Sequence, residues 1–142
     1  MPLINFGSIL NFAEELENQD EVFYTTAITN PACAGRKELF EQFLADCKKN
    51  KKTIERIRRE NVTEMILEGI NDFTRGPYRL ECEVSESMSA EDVLENAEKL
   101  EERAERYYLD AAEKIKTLSE VSRGLKTIAK KRTAHRKKLA NL

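Results

Sequence analysis

A glutamate seven residues before a tyrosine occurs twice in this chain, 84 residues apart. Glu17 precedes Tyr24, and Glu101 precedes Tyr108. Each tyrosine is followed three residues later by an alanine, Ala27 and Ala111. Seven residues make two helical turns, so each Glu and its Tyr share one helix face. That face is otherwise apolar, with Leu10 and Ala13 beside Glu17, and Leu94, Ala97 and Ala104 beside Glu101. A carboxylate on a core-facing stripe is costly unless a partner compensates it. The repeat therefore demands two similar halves, each built on a long helix, and something between them to offset two acids.

The rest of the sequence fits that demand. Only five Gly and three Pro interrupt 142 residues, and 35% of the chain is charged. This composition suits a helix-rich protein with one core. Four helical patterns are expected. The first runs from Gly7 or Ser8 to Thr29, with Ser8 as N-cap and Asn30-Pro31 as its stop. The second covers 36–61, with the stripe Phe40, Phe43, Cys47, Asn50, Ile54, Ile57, Asn61. The third covers 89–118 and opens on Ser89 followed by Glu91 and Asp92. The fourth covers 119–142, with the stripe Val121, Leu125, Ile128, Arg132, His135, Leu139, Leu142.

Residues 62–88 break the periodicity, and a short helix from Val62 to Phe73 is expected inside them. The expected architecture is an all-α antiparallel four-helix bundle in a single domain. A hairpin at 7–61 and a hairpin at 89–142 are joined by the long crossover 62–88. Charge agrees with this pairing. The first and third helices are net acidic and the second and fourth net basic, so each hairpin joins opposite signs. Exposed pairs are individually weak, about 0–1 kcal/mol. Their role is choice of neighbour and register.

The duplicated Glu-x6-Tyr within two helical hairpins resembles the rubrerythrin branch of the ferritin-like superfamily, over 9–61 and 89–142. The resemblance implies two irons held by a Glu on each odd helix and a Glu-x-x-His on each even helix. Glu17 and Glu101 match the odd-helix positions, and Phe23-Tyr24 and Tyr107-Tyr108 match the family's aromatic pairs. On the even helices Cys47 and Asn50 stand where Glu and His are expected. Arg132 replaces the second Glu, and His135 keeps the second His. The 85-residue offsets from Cys47 to Arg132 and from Asn50 to His135 keep the duplication in register. Three of the six implied ligands remain: Glu17, Glu101 and His135.

An arginine cannot ligate metal and stays charged, but it can fork onto carboxylates. The expectation is therefore an Arg–Glu–Glu–His network in place of the metal pair. No cofactor is expected, and the fold is expected to serve as a non-catalytic structural or interaction module. The alternative is a rubrerythrin-type, iron-dependent oxidase or peroxidase with an atypical ligand set. It would hold iron or another divalent metal on Glu17, Glu101, His135 and Cys47, or recruit Glu41, Asp46 or Glu105 by a register shift. A third reading is an adaptor whose basic last helix binds acidic partners.

Other features narrow the classes. Tyr24 and Tyr108 line the site as core aromatics whose hydroxyls need partners. Cys47 reads as a small buried hydrophobe. Cys33 in a turn and Cys82 in the crossover have no recognisable context. An odd cysteine count without CxxC pairs points to a reducing cytoplasm and leaves no rubredoxin-type electron donor. No apolar run approaches a membrane span, so no membrane association is expected. A net charge of −2 and the lack of interleaved aromatics argue against nucleic acid. The run Lys130-Lys131-Arg132 and Arg136-Lys137-Lys138 reads as a solvated face opposite the acidic helices. A homodimer follows from the family resemblance, and a protein partner is compatible with it.

Overall fold

The computed structural model describes residues 5–61, 73–82, 85 and 87–142. Four long α-helices dominate it: α1 (Phe6–Thr29), α2 (Lys37–Glu60), α3 (Ala90–Lys114) and α4 (Ser119–Ala140). Among the described residues there is no extended strand. The expected Val62–Phe73 helix lies outside the described residues except for Phe73, which is buried.

The helix ends follow local chemistry. Asn5, and not Ser8, caps α1. Its side chain accepts from the Ser8 N–H at 2.8 Å, while the Ser8 hydroxyl accepts from the Asn5 N–H at 3.1 Å. Ser8 is thus the third helical residue of a capping box, and the helix starts at Phe6, one or two residues before the expected start. Asn30 ends α1 and leads into a six-residue 3₁₀ helix, Pro31–Arg36. The side chain of Asn30 accepts from the Ala32 N–H at 2.9 Å and donates to the Met88 carbonyl at 2.8 Å, tying the first hairpin's turn to the start of the second. Ser89 caps α3 as expected. That helix ends at Lys114, earlier than the expected 118, because 115–118 form the turn into α4.

The packing order fixes the topology. α1 packs chiefly on α2 and α3 chiefly on α4, with lesser α1–α3 and α2–α4 contacts. Every adjacent pair is antiparallel. Arg58 meets Glu14 and Lys51 meets Glu21 across α1–α2. Ser122 meets Ala112 and Arg136 meets Glu105 across α3–α4. Tyr24 meets Glu101 and Tyr108 meets Glu17 across α1–α3. Asp46 meets His135 and Ile57 meets Gly124 across α2–α4. The diagonal helices α2 and α3 therefore run parallel. Residues 78–80 lie against α1 and α3. Tyr78 donates to Asp110 at 2.5 Å, and Gln19 donates to the Leu80 carbonyl at 2.6 Å.

The even-helix stripes are buried with two exceptions. Leu142 is 54% exposed past the end of α4, and Asn61 is half-buried at the end of α2. On α3, Val93 and not Leu94 takes the buried place. The interior is not uniformly apolar. One cluster gathers Phe6, Ile9, Leu16, Ile57, Tyr107 and Leu125, and the other Phe23, Tyr24, Phe40, Phe43, Leu100 and Leu139. Between them lies a polar layer halfway along the helices. Gly124 lets α4 approach α2 closely, since a Cβ there would meet Ile57 Cδ1 at 2.8 Å. No described helix is long and apolar enough to cross a membrane.

Candidate functional site

The polar layer is built around Arg132, which is fully buried. α4 presents it to the bundle axis on the same stripe as Ile128 and His135. Its Nη1 donates to Glu101 Oε2 of α3 at 2.8 Å. Its Nη2 lies 2.7 Å from Glu17 Oε1 and 2.9 Å from Asp20 Oδ2, both on α1. Neither Nη2 contact is aligned as a hydrogen bond, so these two are charge contacts. One cation thus serves three buried carboxylates from two helices.

The tyrosines cross between the halves. Tyr24 of α1 donates to Glu101 Oε2 at 2.5 Å, and Tyr108 of α3 donates to Glu17 Oε2 at 2.7 Å. Neither tyrosine serves the glutamate on its own helix. Two turns separate Glu from Tyr, about 10 Å of rise, which is too far for direct contact within one helix. Antiparallel α1 and α3 bring each tyrosine level with the opposite glutamate. Burial and the neighbouring Glu101 hold the Tyr24 phenol well above its ordinary value. Burial and Glu17 do the same for Tyr108, so both remain donors.

His135 extends the network toward the surface. Its Nδ1 lies 2.9 Å from Glu101 Oε1 and its Nε2 lies 2.8 Å from Asp46 Oδ2. Each ring nitrogen thus faces a carboxylate oxygen, one inside the layer and one at its edge. Phe43 stacks on the ring at 3.9 Å between centroids. Asn50 donates to Glu17 Oε1 at 3.3 Å. Cys47 is fully buried. Burial holds its thiol well above the ordinary value, against the pull of Arg132, so it is a neutral neighbour.

Two members were missed by the sequence reading. Asp20 lies one turn beyond Glu17 on the same face. Arg103, 2% exposed, donates from Nη2 to Asp20 Oδ1 at 2.7 Å. Its Nη1 donates to Gln19 Oε1 at 3.2 Å and to the Tyr78 carbonyl at 3.1 Å, which ties the crossover to the network. The signal was present in the spacing, since Leu100, Arg103 and Tyr107 repeat at three and four residues in the row next to the one that carries Glu101, Ala104 and Tyr108. Asp46, considered above as a shifted ligand, enters instead as the outer acceptor of His135. Glu41 is exposed. Glu105 pairs with Arg136 at 2.7 Å and accepts from Thr133 at the α3–α4 rim.

The electrostatics distinguish the three buried acids. Burial opposes ionisation of Glu101, but Arg132, His135 and Tyr24 outweigh it and hold the group down at about 2. Burial raises Asp20 to about 7, against the pull of Arg132 and Arg103. Its Oδ2 has no aligned donor, so two close cations do not fully replace its lost hydration. Burial also works against the Arg132 charge, yet Glu101 and Glu17 hold it well above the ordinary arginine value.

The side chains do not suit the metal pair implied by the family resemblance. The Arg132 guanidinium lies within 3 Å of oxygens on all three buried acids. Both Glu101 oxygens and both Glu17 oxygens already have protein partners. Among the described residues no group of three or more His, Cys, Asp or Glu side chains is arranged to hold a metal. What the layer can do is lock four helices in register through one buried charge network.

Searches against protein-family models, curated proteins and solved structures return no match to this chain.

Proposed function

We propose that this chain is a rubrerythrin-like member of the ferritin-like superfamily in which a protein cation has taken the place of the metal pair. It works as a non-catalytic structural or interaction module. The observation that carries the reading is the buried Arg132 guanidinium among Glu17, Asp20 and Glu101. The up–down–down–up helix directions and the crossed Glu–Tyr pairs support the family likeness, because they give the two halves equivalent roles about one centre. The same reading carries a homodimer and a cytoplasmic location as further expectations.

Metal content tests it. Protein produced with added iron and manganese is expected to hold well under one metal per chain. A strong chelator is expected to leave its melting temperature unchanged. About two irons per chain with peroxide-dependent turnover would overturn the proposal in favour of a rubrerythrin-type oxidoreductase.

A further inference from the structure

The basic residues of α2 and α4 divide into two sets. Those at the hairpin seams have acidic partners: Lys51 with Glu21, Arg58 with Glu14, and Arg136 with Glu105. On the outer surface Arg56 pairs with Glu60 of its own helix at 3.9 Å, and six further cations have no such partner. Lys48, Lys52 and Arg59 on α2, and Arg123, Lys130 and Lys137 on α4, are all exposed. None of these six has an ion-pair partner among the described residues. The sequence reading placed the α4 cations opposite acidic helices. In the fold Arg136 pairs with Glu105 of α3 and Lys137 lines the same α3–α4 groove with Glu98 and Glu105, while Arg123 and Lys130 lie on the outer surface of α4.

The two sets are in register. Asp46 meets His135 and Ile57 meets Gly124, so α2 and α4 run antiparallel with fixed levels. Those levels put Arg59 beside Arg123 and Lys52 beside Lys130. On each helix these residues lie opposite the buried stripe, at steps of about one or two turns. The α4 row from Arg123 to Lys137 is about 21 Å long at 1.5 Å per residue. Packed helix axes lie roughly 8–10 Å apart, so the two rows run side by side along neighbouring helices, with the exposed acids Glu55 and Glu60 among the cations of α2. Lys49, Lys131 and Lys138 fall between them, where the helices adjoin.

We infer that this α2–α4 face docks on the sugar–phosphate backbone of duplex nucleic acid without reading sequence. Charge complementarity chooses the occupant. Two rows of cations suit two rows of regularly spaced phosphates, and successive phosphates on one strand rise about 3.4 Å along the duplex axis. Lysine predominates, and it offers mobile point charges suited to diffuse phosphate contact. The face has no exposed aromatic side chain on which unstacked bases could lie; that absence, which in the sequence argues against nucleic acid, disfavours a single strand and leaves open a duplex held by its phosphates. The net charge of −2 makes the attraction local to this face.

The test uses the full chain and a fluorescent 20-base-pair duplex of arbitrary sequence, read by anisotropy. About four phosphate contacts would give a salt slope near −3.6 and weaken binding about 150-fold between 50 and 200 mM salt. The double reversal Lys52→Glu with Lys130→Glu is expected to lower affinity at least tenfold. The same reversal at Lys99 and Lys116 on the α3 side is expected to change it less than twofold. Circular dichroism confirms that both variants remain folded. No binding at 50 mM salt would overturn the inference, as would equal loss in both variants. Tighter binding of poly-glutamate than of duplex at equal salt would also overturn it and assign the face to an acidic protein. None of these outcomes depends on metal content.

Discussion

Replacing Arg132 with methionine removes the one cation shared by three buried carboxylates while keeping a side chain of comparable length. Asp20 retains Arg103, and Glu101 retains His135 and Tyr24. Glu17 is left with Tyr108 and Asn50, two neutral donors. Breaking a buried ion pair by removing one partner costs about 3–5 kcal/mol. For a domain of this size each kcal/mol corresponds to roughly 3 °C, so the melting temperature should fall by about 10–15 °C at pH 7. Thermal unfolding followed by circular dichroism measures this directly. A second variant separates the lost charge from lost packing. Adding Glu17→Gln and Glu101→Gln to Arg132→Met removes the orphaned charges, and it should recover more than half of the loss. A melting temperature within about 2 °C of wild type for the single variant would refute the buried network. So would a triple variant less stable than the single one, because packing and not charge would then dominate.

The crossed tyrosines should be energetically equivalent. Tyr24→Phe and Tyr108→Phe are each expected to cost about 1.5–3 kcal/mol in urea unfolding, with values within 1 kcal/mol of each other. Acid should act through Glu101. Its folded value of about 2 lies below its unfolded 4.5, so its contribution is present above pH 4.5 and is lost as pH falls toward 2. The loss amounts to about 3 kcal/mol, and Glu101→Gln should flatten that limb of the stability profile. Asp20 works in the opposite sense. Its folded value of about 7 lies above its unfolded 3.8, so it lowers stability as pH rises from about 4 to 7. Asp20→Asn should make the profile less steep between pH 5 and 7, read by urea midpoints at fixed ionic strength.

The sequence made the four helices legible because their buried stripes are periodic and their breaks are marked by Asn30-Pro31 and Ser89. It also made Arg132 and His135 legible as site residues, since the even-helix offset carries them onto the altered ligand positions. Asp20 and Arg103 escaped because attention to a duplicated pattern passes over residues present in one half alone. Asp20 corresponds by register to Ala104, an apolar position. The Glu–Tyr connectivity could not be read from spacing at all. Spacing sets a shared face, whereas partnership depends on the direction in which α3 passes α1. The basic outer surface of α2 and α4 was hidden for a related reason. Net charges per helix do not say which side of a helix holds the charge, and the α2–α4 adjacency decides it.

The source of the central cation has a consequence for how the molecule is made. Glu17 and Asp20 leave the ribosome well before Arg103 and Tyr108, and more than a hundred residues before Arg132. Until then the nascent first hairpin has acids on its inner face without their final counterions. It can stay hydrated or borrow protons, but it cannot close around a dry interior. Completion of the fold therefore waits on its last helix. The hairpins are matched in design, yet they are unequal in time.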